Sequence, residues 1–124
     1  MPFKAGHCFL YPLTGFETAH IWVIATEPNA DGQFAIVNFT SLKGNKDQTV
    51  ILRKGEHEFI THDTCVNYWA ADISSIDVLQ AMLECGQARM ERDLDETLLK
   101  LIQQGFTASD LTKNRIADFV RKHK

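Results

Sequence analysis

The stretch His20-Ile21-Trp22-Val23-Ile24-Ala25-Thr26 decides the fold class of this 124-residue chain. Within it Ile21, Val23 and Ala25 alternate with Trp22, Ile24 and Thr26. Successive side chains of a strand point to opposite faces, so this strand carries apolar groups on both and belongs inside a sheet rather than at its edge. Outward from it lie further runs of β-branched and aromatic residues, Cys8–Tyr11, Phe34–Phe39, Thr49–Leu52 and Cys65–Trp69. Turn formers separate them at Pro12–Gly15 and at positions 27–32, 43–46 and 53–56. Five short strands joined by tight turns predict a small, strongly curved antiparallel sheet or barrel.

Near residue 72 the hydrophobic period becomes that of a helix. Ile76, Leu79, Met82 and Leu83 recur at helical spacing behind Ser74 or Ser75 as N-cap. Asp93, with Glu96 three residues on, predicts the start of a second helix, which Leu94, Leu98, Leu101 and Ile102 stripe and Gly105 stops. A third helix is expected from Ser109 or Asp110, burying Leu111, Ile116 and Phe119 or Val120. Arg121, Lys122 and Lys124 near its end suit the helix dipole. The expectation is an α+β fold in one domain, residues 1–124, with a β-barrel over 1–72 and a helical extension over 73–124.

Composition narrows the functional classes. A chain 44% hydrophobic and 23% charged can bury one core and stay dissolved. Its formal charge of −3 excludes coating nucleic acid by bulk charge but permits a local basic patch. Cys8, Cys65 and Cys85 are odd in number, form no CxxC and fit a reducing compartment. The N-terminal residues lack the apolar run of a signal peptide and no stretch is long enough to span a bilayer, so a cytoplasmic location is expected, without membrane partners.

Residues that could do chemistry concentrate in two places. The segment 55–68 holds His57, His62, Asp63, Thr64 and Asn67. Two imidazoles there suit acid–base work near neutral pH. A metal site of His57, His62 and Asp63 is a second reading, though HxxxxH matches no standard ligand geometry. A plain turn held by Asp63 or Thr64 is a third. The second place is Val37-Asn-Phe-Thr-Ser-Leu-Lys-Gly44, a strand ending on the hydroxyls of Thr40 and Ser41. Those hydroxyls either donate to a phosphate or merely end the strand in a turn. Beyond them Lys43, Lys46, Arg53 and Lys54 face only Asp47, as an RNA-binding loop or a solvated one. His20, Trp22, Tyr68 and Trp69 lie in strand-like runs, where a structural role competes with catalysis or base stacking.

Taken in order, these elements resemble the MazF/PemK-type toxins, a family of small SH3-like barrels. The resemblance covers the first 75 residues. It rests on Gly6-His-Cys-Phe-Leu-Tyr, His20-Ile-Trp-Val-Ile-Ala, Asn38-Phe-Thr-Ser-Leu-Lys-Gly44, Thr49-Val-Ile-Leu52 and Asp63-Thr-Cys-Val66. It implies an SH3-like barrel and a metal-independent endoribonuclease without cofactor, dimeric, cutting single-stranded RNA through its 2′-OH and neutralised by an antitoxin protein. Thr40 or Ser41 matches the family's active-site hydroxyl. The family's Arg-Pro before the second strand reads Ala19-His20 here, and no arginine precedes Arg53. Either His20 takes over proton transfer with His57 or His62, or the site has been lost. The expected catalytic set is His20, Thr40, Ser41, His57 and His62, with Lys43, Lys46, Arg53 and Lys54 on the RNA. The alternatives are a protein- or peptide-binding module using Trp22, Trp69 and the helices, and a histidine-based metal-dependent hydrolase.

Overall fold

The two-faced strand lies inside the sheet, as its alternation requires. In the computed structural model, which describes residues 3–13, 15, 18–42, 47–56 and 60–123, it forms β2 (His20–Ile24). The other strands are β1 (Cys8–Tyr11), β3 (Gln33–Ser41), β4 (Ile51–Leu52), β5 (Thr64–Ser75) and β6 (Arg89–Glu91). Three helices follow β5: α1 (Ile76–Glu84), α2 (Glu96–Ala108) and α3 (Asn114–His123). The strands form one six-stranded sheet in the order β4-β5-β3-β2-β1-β6, with every neighbouring pair antiparallel. The fold is α+β, a curled half-barrel with helices on it.

Each face of the sheet has its own core. The inner face sets Val23, Ala25, Val37, Val66 and Tyr68 against Leu98, Ile102 and Phe106 of α2 and Ile116 and Val120 of α3. The outer face sets Phe9, Ile24 and Phe34 against Leu79 of α1, with Trp22, Ile36 and Met82 packed around them. Burying a side chain of this size contributes roughly 1.5–3 kcal/mol. The sheet is therefore held from both sides.

Several local expectations are corrected. The barrel has six strands rather than five and does not close. Its added strand, β6, pairs with β1, and an Arg89–Glu91 ion pair (3.1 Å) occupies this sheet edge. The strand expected over Cys65–Trp69 continues to Ser75, because a bulge lets it bend with the sheet: Ile36 pairs with Asp72 and Asn38 with Asn67, so Val37 alone faces Tyr68 to Ala71. The bulge turns Tyr68 fully inward, in line with a structural role, but leaves Trp69 65% exposed, against one.

Helix boundaries shift for similar reasons. Ser75 does cap α1, its hydroxyl accepting from Val78 N at 3.3 Å. Asp95, not Asp93, caps α2, accepting from Leu98 N at 2.8 Å. Gly105 does not stop α2 but lies within it, where a Cβ would collide with the Tyr68 hydroxyl. That hydroxyl donates to Ile102 O at 2.7 Å, so the ring crosses α2 where only glycine leaves room. The third helix begins at Asn114; Ser109 instead ends α2, and its hydroxyl bonds the Asp47 carboxylate. Leu101 and Leu111, expected in the core, are exposed. Among the described residues no helix is long and apolar enough to cross a membrane.

Candidate active site

Antiparallel pairing brings the start of β2 beside the end of β3. Trp22 pairs with Asn38, and two residues farther along stand His20 on one strand and Thr40 on the other. The His20 ring is held by Nδ1, 3.1 Å from Phe39 O. A carbonyl oxygen only accepts, so Nδ1 carries the hydrogen and Nε2 is left as the basic nitrogen. Ser41 is the last residue of β3, opposite Thr64 of β5. Its Oγ lies 2.8 Å from Nε2 of His62. Thr40, adjacent in a strand, points to the opposite face and pairs with Cys65, so the two hydroxyls do not act as a matched pair.

Backbone contacts fix the position of His62. Thr64 Oγ1 donates to His62 O at 2.9 Å, and Leu42 N donates to Asp63 O at 3.1 Å. The Asp63 carboxylate accepts from the Lys54 N–H at 3.1 Å and from the Arg53 guanidinium at 2.9 Å. Those two donors, the backbone one first, hold its carboxyl below the usual carboxylate range. His20, Thr40, Ser41 and His62 line one cavity of about 220 Å³, whose apolar wall includes Phe39 and Ile60. The arrangement combines two imidazoles and a serine hydroxyl in a partly open cleft. It suits moving a proton onto or off a bound ligand.

The remaining sequence candidates fall elsewhere. Arg53 is ion-paired to Asp63 and does not line the cavity; Lys54 contributes its backbone, with its side chain exposed. His57, Lys43 and Lys46 lie outside the described residues. Of the alternative metal set, Asp63 is engaged by Arg53, and no group of three His, Cys, Asp or Glu suited to a metal occurs among the described residues. Cys8 is buried, and burial pushes its thiol up to about 12, which makes it a poor nucleophile.

A larger cleft, of about 400 Å³, opens between the outer face and α1 and was not anticipated from the sequence. Phe9, Tyr11, Trp22, Ile36, Val78 and Met82 give it apolar walls. Phe9 and Trp22 stack, with centroids 6.4 Å apart and planes 11° from parallel. Trp22 Nε1 is buried without a partner among the described residues, as is Asn38 Oδ1 beside it across the strand pair. A buried orphan costs on the order of 1–3 kcal/mol, which marks this as a place where packing was not optimised for stability alone. The signal in the sequence is the Trp22–Ile24 face of β2, where a structural role for Trp22 competes with base stacking or partner binding. No family model, curated protein or solved structure matches the chain.

Proposed function

We propose that this protein is a metal-independent endoribonuclease of the toxin type, acting on single-stranded RNA, its half-barrel being a divergent SH3-like one. The observation that carries the reading is the pair of imidazoles, His20 and His62, lining one cavity with the Ser41 hydroxyl. RNA cleavage through its 2′-OH needs a base, an acid and a donor to the phosphate. His20 Nε2 takes the 2′-hydroxyl proton, and the resulting oxygen attacks phosphorus. The bond to the 5′-oxygen breaks as that oxygen receives a proton. Protonated His62 supplies it through Ser41, whose Oγ accepts from Nε2–H while its own hydrogen passes to the leaving oxygen. The products are a 2′,3′-cyclic phosphate and a 5′-hydroxyl. In this reading Thr40, which lines the same cavity, donates to a phosphate oxygen, and the exposed Lys54 side chain contacts the RNA backbone. An antitoxin protein and a second copy of the chain complete the partners of this reading.

The test is purified protein on mixed-sequence single-stranded RNA in chelator, with analysis for 2′,3′-cyclic ends. The rate should be bell-shaped between about pH 5 and 8. His62→Gln should lower it roughly 10²–10⁴-fold. His20→Asn keeps a donor for Phe39 O but cannot titrate, and should do the same without unfolding the protein. Cleavage unchanged in both variants would end the proposal. A binding module is the second reading, favoured by Trp69, exposed on the β5 bulge with Lys113 Nζ 5.6 Å from its ring centroid.

A further inference from the structure

We infer that the aromatic cleft under α1 is a nucleobase subsite of the His20–His62 centre, one that selects bases carrying an amino group. The inference rests on the ribonuclease reading and adds to it a base preference. Its ground is the sheet register. Tyr11 pairs with His20 across β1 and β2, and Trp22 stands two residues beyond His20 on the same face. Neighbouring strands lie about 4.8 Å apart, and same-face residues of a strand about 6.6 Å apart. Tyr11 and Trp22 line the aromatic cleft, and His20 lines the cavity with Ser41 and His62. The two hollows therefore adjoin at the proposed base. A ribose whose 2′-OH meets His20 carries its nucleobase a few ångströms away, and the cleft lies on that side.

The chemistry of the cleft fits such an occupant. A nucleobase has flat apolar faces, which the stacked rings of Phe9 and Trp22 match, and polar edges, for which the rim offers Gln33, Asp72 and Ser74. At about 400 Å³ the cleft is within the usual size of small-ligand sites. Asp72 supplies the selectivity. Its Oδ1 accepts from Ile73 N at 2.8 Å and from Arg115 at 3.3 Å, while Oδ2 has no partner among the described residues. A carboxylate oxygen only accepts, so it favours the exocyclic amines of adenine, cytosine or guanine over uracil, which has none.

Fluorescence can read this site without any cleavage. The chain has two tryptophans, so Trp69→Phe leaves Trp22 as the only reporter. The probes are tetranucleotides of A, C, G or U, 2′-O-methylated throughout so that they cannot be cut, and an abasic tetranucleotide. Saturable quenching is expected with A, C and G, at least roughly fivefold weaker binding with U, and none with the abasic strand. Asp72→Asn should remove the discrimination, and His62→Gln should leave quenching intact. On cleavable RNA, Asp72→Asn should shift base preference at the cut toward uracil. Quenching by the A, C and G probes but no RNA cleavage would sink the ribonuclease reading while leaving the nucleobase site standing. Absence of quenching with every base, equal quenching by the abasic strand, or a base preference indifferent to Asp72→Asn would overturn the inference.

Discussion

The two faces of the sheet are filled to different degrees. On the inner face α2 and α3 press Ile102, Phe106, Ile116 and Val120 into the curl, and Tyr68 reaches across to bond the backbone of α2. On the outer face α1 buries Leu79 but leaves Val78 exposed and a cleft open beside Trp22. On the inner face the buried Tyr68 hydroxyl is hydrogen-bonded, whereas the outer face leaves Trp22 Nε1 unpartnered among the described residues. A surface optimised for stability would close such a gap, so the contrast separates the part of the fold that holds the molecule together from the part free to bind.

The strongest way to break this contrast is at Gly105. An alanine Cβ there would meet the Tyr68 hydroxyl, which is buried and already bonded to Ile102 O. Gly105→Ala should destabilise the protein by about 2–4 kcal/mol, the sum of overpacking and a lost buried hydrogen bond. Denaturant unfolding measures it, and a change under about 0.5 kcal/mol would mean that the Tyr68–α2 junction is not tight.

A smaller effect is expected at Asp47, which joins the segment before β4 to the end of α2. Burial opposes its ionisation, but hydrogen bonds from Ser109 and Thr49 prevail and hold its carboxyl below the usual range. A depressed pKa in the folded state contributes stability above the unfolded value, near 3.9, which disappears as pH falls through the folded value. Asp47→Asn should therefore cost about 1 kcal/mol at pH 7, and less below pH 4. Thermal melts from pH 7 to pH 2.5 would show the two proteins converging; a constant gap would contradict the linkage.

The smallest effect sharpens the outer side of the comparison. Trp22→Phe removes the unpartnered N–H along with some apolar area, and these oppose one another. The net change should stay within about 1 kcal/mol. On the filled face a larger truncation, Phe106→Ala, should cost about 3–5 kcal/mol. Equal losses at the two positions would show that the cleft is part of the structural core.

Much of the scaffold was legible because it depends on local pattern. The alternation in 20–26 placed β2 inside the sheet, and Ser75 before Ile76 marked the cap of α1. Two of the candidate residues, Ser41 and His62, meet in the fold, and His20 lines the same cavity. What was misread depended on distant partners. Gly105 has the residue type of a helix stop, and only the Tyr68 ring, distant in sequence, explains its place inside α2. Trp69 sits in a strand-like run, yet the bulge against Val37 turns it outward. Arg53 looked available to RNA until Asp63 engaged it.

By itself, then, the sequence determined the order of β1 to β5 and of the three helices, the two-sided burial of β2 and the polar character of the ends of β2 and β3. These follow from periods of two and of three to four, which each segment carries within itself. The tertiary structure alone decided that the barrel stays open, that α1 leaves a cleft over the outer face, and that its walls include Tyr11, the strand partner of His20. Strand register and helix docking decide those features. Both are set by contacts between residues far apart in the chain, which no local pattern encodes.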